Sequence, residues 1–171
     1  MVDRHELDDL FSITYEELRR LAARVKGSHQ ASLSPTALVN EAWLKLAGTQ
    51  ALQLQSQLHF KRIAACAMRQ VLVDAARRRH ADKRGGSEMP FVTLDESVDQ
   101  VAATSRDLIA LDAALDDLAR IHPRQAAMVE CRYFSGLDVT ETATVLNVSE
   151  ATVLRDWRAA KAWLAAQVVK K

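Results

Sequence analysis

Residues 138–149, DVTETATVLNVS, constrain the fold of this chain more than any other stretch. Asp138 followed three residues later by Glu141 is a capping-box pattern, which opens a helix. Asn147 stands where that helix must end in a left-handed turn, a conformation asparagine tolerates better than most side chains. Ser149 then caps a second helix. A short helix, a tight turn and a second capped helix make a helix-turn-helix. Ala143 is the small residue that lets the two helices approach, and Val148 plugs the turn.

The second helix has two distinct faces. Val153, Trp157, Ala160 and Leu164 form an inward stripe, while Glu150, Ala151, Leu154, Arg155, Arg158 and Lys161 point outward. Residues at the start of such a helix reach base edges, and cations further along hold phosphates. Ser149, Glu150, Ala151, Thr152 and Arg155 are the candidate readers; Arg158 and Lys161 are the candidate phosphate contacts. A plain helical hairpin with a solvated charged face is the alternative. The joint presence of both caps, the turn asparagine and Val148 favours DNA binding.

The rest of the chain is also helical in pattern. Hydrophobic residues make up 49% of it, enough for a packed core, and only 5 glycines and 3 prolines interrupt a sequence rich in alanine, leucine and arginine. A first helix is predicted over 7–26, with Leu10, Ile13, Leu18, Leu21, Ala22 and Val25 as its apolar stripe. Ser34 and Pro35 open a second, running to about Leu46, with Ala37, Leu38, Ala42, Trp43 and Leu46 inward. A third covers about 58–83 and stops at Gly85-Gly86. The period returns at Asp107, where Leu108, Leu111, Leu115 and Leu118 repeat at three and four. Pro123 starts a further helix, carrying Ala127, Met128, Cys131 and Phe134, that ends at Gly136. The expected architecture is all-α: two small helical domains, 1–86 and 106–171, joined by a flexible linker, 87–105, with one docking segment around Phe91 to Leu94.

Charge follows this division. Residues 1–85 hold 14 Lys and Arg against 9 Asp and Glu, residues 86–105 hold 0 against 4, and residues 106–171 hold 9 against 9. A basic front, an acidic middle and a balanced rear place charge where it is used, even though the net is only +1. Cys66 and Cys131 lie inside helical patterns, without C-x-x-C spacing or neighbouring histidines, so they read as small buried hydrophobes rather than metal ligands. No metal or cofactor is expected. His5, His29, His59, His80 and His122 are scattered, and no phosphate loop, G-x-S-x-G or H-E-x-x-H is present, so nothing points to an enzyme. The N-terminal MVDRHELDDL lacks the apolar region of a secretory signal, and no run reaches the ~18 apolar residues of a membrane span. The expected location is the cytoplasm, with no membrane partner.

The rear segment IHPRQAAMVECRYFSGLDVTETATVLNVSEATVLRDWRAAKAWL resembles the promoter-recognition domain of the sigma-70 superfamily, of the extracytoplasmic-function (ECF) type. Arg124, Arg132, Tyr133, Phe134, Gly136, Leu137, Glu141, Ala143, Leu146, Ser149, Thr152 and Val153 match that family's pattern. In front, LVNEAWLKL and FKRIAACAMRQVLVDAARRR resemble the polymerase-binding and promoter-melting helices of the partner domain. Two motif sets in the right order cover nearly the whole chain. The resemblance implies a sigma factor that binds the clamp and flap of core RNA polymerase and directs it to promoter DNA.

It also assigns roles. Residues 106–171 would take the minus-35 element. The third helix would take the minus-10 strand, with Arg62, Arg69, Arg77, Arg78, Arg79, Lys83 and Arg84 as cations, and Phe60, Gln70 and Asp74 as the aromatic and polar groups facing it. The loop from Gly48 to His59 would hold a flipped base. A solubilising helix end is the other reading of RRRHADKR. Leu38, Val39, Glu41, Trp43, Leu44 and Lys45 would grip polymerase, with Val39 and Glu41 on the exposed side.

Three departures stand out. Leu154 and Asp156 sit where the family commonly has cations. Ser34-Pro35-Thr36-Ala37 replaces the acids that commonly precede the polymerase-binding motif. Phosphorylation of Thr36 or Ser34 by a Ser/Thr kinase would restore negative charge there, about −1.5 to −2 per phosphate; a simple cap at Ser34 is the alternative. An anti-sigma factor is a further expected partner. A helix-turn-helix repressor or activator would explain the rear but leave the basic helix and LVNEAWLKL unused. An interaction protein that has lost DNA binding is the remaining rival.

Overall fold

A computed structural model describes residues 4–26, 33–49, 54–82 and 105–169. Seven α-helices and one π turn account for them: α1 (Arg4–Lys26), α2 (Pro35–Ala47), α3 (Gln57–Asp82), α4 (Ser105–Ile121), α5 (Pro123–Val129), the π turn Glu130–Phe134, α6 (Val139–Leu146) and α7 (Glu150–Val169). No strand occurs among the described residues. The expected linker, its docking segment and the Gly85-Gly86 stop lie outside them, as do Lys83 and Arg84.

The helix ends are set by local chemistry. Ser34 Oγ accepts from the Ala37 amide at 3.1 Å and Pro35 occupies the first turn of α2, where its missing N–H costs nothing. Ser56 Oγ accepts from the His59 amide at 3.1 Å and starts α3. Cys131 and Phe134 fall in the π turn, not in a continued α-helix. There the Ser135 amide reaches back five residues to the Glu130 carbonyl at 2.9 Å. Such a turn rotates the side chains after it relative to a regular helix. Gly136 follows at φ 66, as a residue without a Cβ can.

Apolar burial then decides the packing. α3 packs against α1 and α2, and also against α4 and the π turn. Ala64, Ala65, Ala67, Met68, Val71, Leu72, Val73 and Ala76 are all buried on it, so it is covered around most of its circumference. Leu108, Leu111, Leu115 and Leu118 form the buried stripe of α4, as their spacing predicts. One apolar cluster runs from Leu7 to Leu164, so front and rear helices share a core.

Two expectations need correction here. Ile13 is 69% exposed; the α1 stripe instead passes through Leu7, Thr14, Leu18 and Ala22. Thr14 can be buried because its hydroxyl donates to the Leu10 carbonyl at 2.6 Å. Val39 is 1% exposed and belongs to the core beside Leu38, Ala42 and Leu46, so it is not on the outer face of α2. The helical period allows either assignment. The packing of α2 against both α1 and α3 widens its buried face beyond a single stripe.

Candidate nucleic-acid interface

The helix-turn-helix is built as its sequence requires. Asp138 Oδ1 accepts from the Glu141 amide at 2.8 Å, and Glu141 Oε2 accepts from the Asp138 amide at 2.9 Å. Asn147 ends α6 at φ 50 and ψ 51, in the left-handed region. Ser149 Oγ accepts from the Thr152 amide at 3.2 Å and lies 3.0 Å from the Thr152 hydroxyl. Val153, Trp157, Ala160 and Leu164 are buried, which fixes the roll of α7.

That roll sorts the candidate readers. Ala151, Leu154, Arg155 and Arg158 are exposed on the outer face. Ser149 and Thr152 are used in the cap. Glu150 accepts from the Thr140 hydroxyl at 2.7 Å and ties α6 to the start of α7. Lys161 is half-buried, with Nζ 5.3 Å from the centroid of the Trp157 ring, while the Arg132 guanidinium lies 5.7 Å from the same centroid. Cation–π contact accounts for this pairing. Asp156 is buried and does not face outward: Arg124 Nε reaches its Oδ2 at 2.6 Å. The departures at 154 and 156 therefore differ in kind, one on the outer surface and one internal.

On α3, Gln70, Arg77 and Arg78 are exposed, and Arg79 is half-buried. Phe60 is fully buried in the core, so its ring is out of reach of a DNA strand here. Its place in the α1–α2–α3 packing is the physical reason. His59 lies in the first turn of α3, not in a loop, and Asp74 pairs with Lys45 of α2 at 2.9 Å.

Other cations of α3 are occupied from the rear of the chain. Arg62 donates through Nη2 and Nε to Glu130 Oε2 at 2.9 and 3.3 Å. Its pKa is raised: burial opposes the charge, but the hydrogen bond and charge of Glu130 outweigh burial. Arg69 is buried, with Nε 3.6 Å from Asp112 Oδ1, and Arg77 Nη2 is 3.2 Å from Asp112 Oδ2. Burial pushes the Asp112 carboxyl up, against the pull of these arginines. The Cys66 and Cys131 thiols are each pushed up to about 12 by burial, so neither is a thiolate near neutral pH.

A family model described as ECF sigma factor covers residues 2–170. The chain belongs to the ECF sigma factor family. No curated protein and no solved structure matches it. As an ECF sigma factor it is an alternative transcription initiation factor, and core RNA polymerase and promoter DNA are its partners.

The expected polymerase-binding set of this sigma factor divides between core and surface. Leu38 and Val39 are in the core, and Trp43 is half-buried, its ring stacked on Phe11 with centroids 4.4 Å apart. Glu41, Leu44 and Lys45 are exposed, Leu44 at 65%. Among the described residues, Ile13 on the neighbouring α1 is the other large hydrophobic of the front helices left in solvent. Sequence periodicity placed it inside. Glu130, Asp112 and Arg24 were also missed as interface residues; an acid embedded in the Leu108–Leu111–Leu115 stripe was the available signal for Asp112. Among the described residues no cluster of His, Cys, Asp and Glu could hold a metal ion. No described helix is long and apolar enough to cross a membrane.

Proposed function

We propose that this sigma factor reads the minus-35 element with α7 and takes the minus-10 strand on the cationic face of α3. The observation that carries the reading is the outer face of α7: Ala151 and Leu154 beside Arg155 and Arg158, exposed on a helix whose roll is locked by four buried residues and two caps. Arg155 stands where a base edge would be met, and Arg158 where a phosphate would. On α3, Arg77, Arg78 and Arg79 continue toward Lys83 and Arg84 in sequence, with Arg62 and Arg69 further up the helix. The exposed part of α2, Glu41, Leu44 and Lys45, is the surface offered to the polymerase clamp.

A finer point concerns Thr36. It is exposed in the first turn of α2, and that turn contains no acid. Ser34 is already engaged as the cap. A phosphate on Thr36 would be favoured by the helix dipole and would put negative charge in the first turn of the polymerase-facing helix, where the sequence has none. A Ser/Thr kinase would then license polymerase binding; an anti-sigma factor is the other class of regulator open to a protein of this family.

Run-off transcription with bacterial core polymerase on pooled genomic promoters tests the reading, with wild type beside Thr36→Glu and Thr36→Ala. Specific transcripts from wild type support sigma function without a licence. Transcripts from Thr36→Glu alone support the phosphorylation switch. Equal activity of all three removes the switch. Silence from all, with DNA still bound by the free protein, favours a repressor or activator over a sigma role.

A further inference from the structure

The start of α7 uses most of its polar groups within the fold. Ser149 Oγ accepts from the Thr152 amide, and the Ser149 and Thr152 hydroxyls are turned to each other at 3.0 Å. Glu150 Oε1 accepts from the Thr140 hydroxyl at 2.7 Å. Arg155 Nε is drawn toward Asp156 Oδ1 at 3.4 Å. Beyond the Arg155 guanidinium, what the first two turns offer outward is apolar: Ala151, which is exposed, and Leu154, which is 43% exposed. Three residues apart, they are neighbours on one face of the helix.

Leu154 also stands between opposite charges. Glu150 precedes it and Arg158 follows it by four residues, each about 6 Å away along the helix axis. A carboxylate repels phosphate and a guanidinium holds it, so a DNA backbone crosses at Arg158 and a base edge falls at Leu154. An apolar side chain pressed on the polar edge of guanine, adenine or cytosine leaves their donors and acceptors without partners. Thymine is the base whose major-groove edge carries a methyl group, and a methyl group needs no partner. We infer that Leu154, with Ala151 beside it, reads the 5-methyl group of a thymine in the minus-35 element. This rests on the reading of α7 as the minus-35 helix.

The fold holds Leu154 to this task. Val153 and Trp157 are buried and fix the roll of α7, so Leu154 cannot turn into the core. Glu150 is tied to α6 through Thr140, so the acid that keeps phosphates from the helix start is itself held in place. Removing one methyl group from water against Leu154 is worth about fourfold in affinity. A lysine at 154 would reach past the base edge to a phosphate and bind without regard to sequence. Leucine gives up that attraction and gains discrimination between bases.

The test uses the full chain assembled with bacterial core polymerase. Selection from a randomised duplex library yields the upstream motif it binds. Each thymine of that motif, on either strand, is then replaced in turn by deoxyuridine, which removes the methyl group and nothing else. Competition binding should show wild type losing about fourfold at one position. Leu154→Ala should bind the thymine and deoxyuridine duplexes equally, and Leu154→Met should restore the difference. Leu154→Lys should bind every duplex more tightly and show no difference between the two. A motif without thymine, or no loss at any deoxyuridine, overturns the proposal and leaves α7 standing as the reader. A loss that persists in Leu154→Ala assigns the methyl group to another side chain and overturns it as well. If no upstream motif is selected, the reading of α7 falls and the proposal with it. Should Leu154→Ala lose its helical circular dichroism, Leu154→Met and Leu154→Lys carry the comparison, and an equal deoxyuridine loss in those two overturns the proposal.

Discussion

Arg124 at the start of α5 donates from Nε to Oδ2 of Asp156 on α7 at 2.6 Å, and this bond turns an acid of α7 into an internal strut. Asp156 is 3% exposed, and Arg155 Nε approaches its other oxygen at 3.4 Å. Removing the carboxylate leaves a partly covered guanidinium without its partner. Asp156→Ala should therefore lower the stability of the chain by about 1–3 kcal/mol. Asp156→Arg should cost more, by setting a third cation between Arg124 and Arg155. Urea unfolding checks both, and an Asp156→Arg variant as stable as wild type would contradict the inward placement.

Asn147 is held at φ 50, where a β-branched side chain is strained. Asn147→Gly should leave stability near wild type, while Asn147→Val should cost about 1–2 kcal/mol. Minus-35 binding by Asn147→Val should weaken too, because the turn sets the angle between α6 and α7. Thermal unfolding and duplex binding together read the two effects.

The outer face of α7 makes a salt-dependence prediction. Arg158→Ala should weaken duplex binding almost uniformly across sequences and reduce the slope of log K against log salt by about 1. Leu154→Lys should do the opposite, adding a phosphate contact and steepening the slope by about 1. Anisotropy titrations across a salt series decide it. Slopes unchanged in both variants would place this face away from DNA.

His59 gives the chain a mild acid sensitivity. Burial first, and the charge of Arg62 second, lower its pKa from 6.5 in the folded state. The neutral ring accepts a hydrogen bond at Nδ1 from the Gln55 amide at 3.2 Å, which a protonated ring cannot do. With the folded value depressed, the stabilisation is complete above 6.5 and is lost as pH falls below it through the folded value. Between pH 7.5 and 5.5, wild type should lose more stability than His59→Asn does. Identical pH dependence in the two proteins would rule this out.

Much of this was legible before the fold was known, because it depends on residues within a few positions of one another. Caps at Ser34, Asp138 and Ser149, the left-handed Asn147 and the stripes of α4 and α7 are all local. Their physics is a hydrogen bond to the next turn or a repeat of 3.6 residues. The readings that failed concern which way a helix faces. Ile13 and Val39 satisfy a helical period equally well inside or outside, and only the neighbours of α1 and α2 choose. Phe60, matched by resemblance to a DNA-facing aromatic, fills the core between three helices instead.

The sequence by itself determined an all-helical chain with a helix-turn-helix near its end, since spacing and capping are written residue by residue. Tertiary structure decided what α3 is bound to. Arg62 meets an acid 68 residues away and Arg77 one 35 residues away. No local pattern encodes such pairs. They exist because the apolar faces of α4 and the π turn dock on α3, and that docking brings Asp112 and Glu130 within reach of its cations.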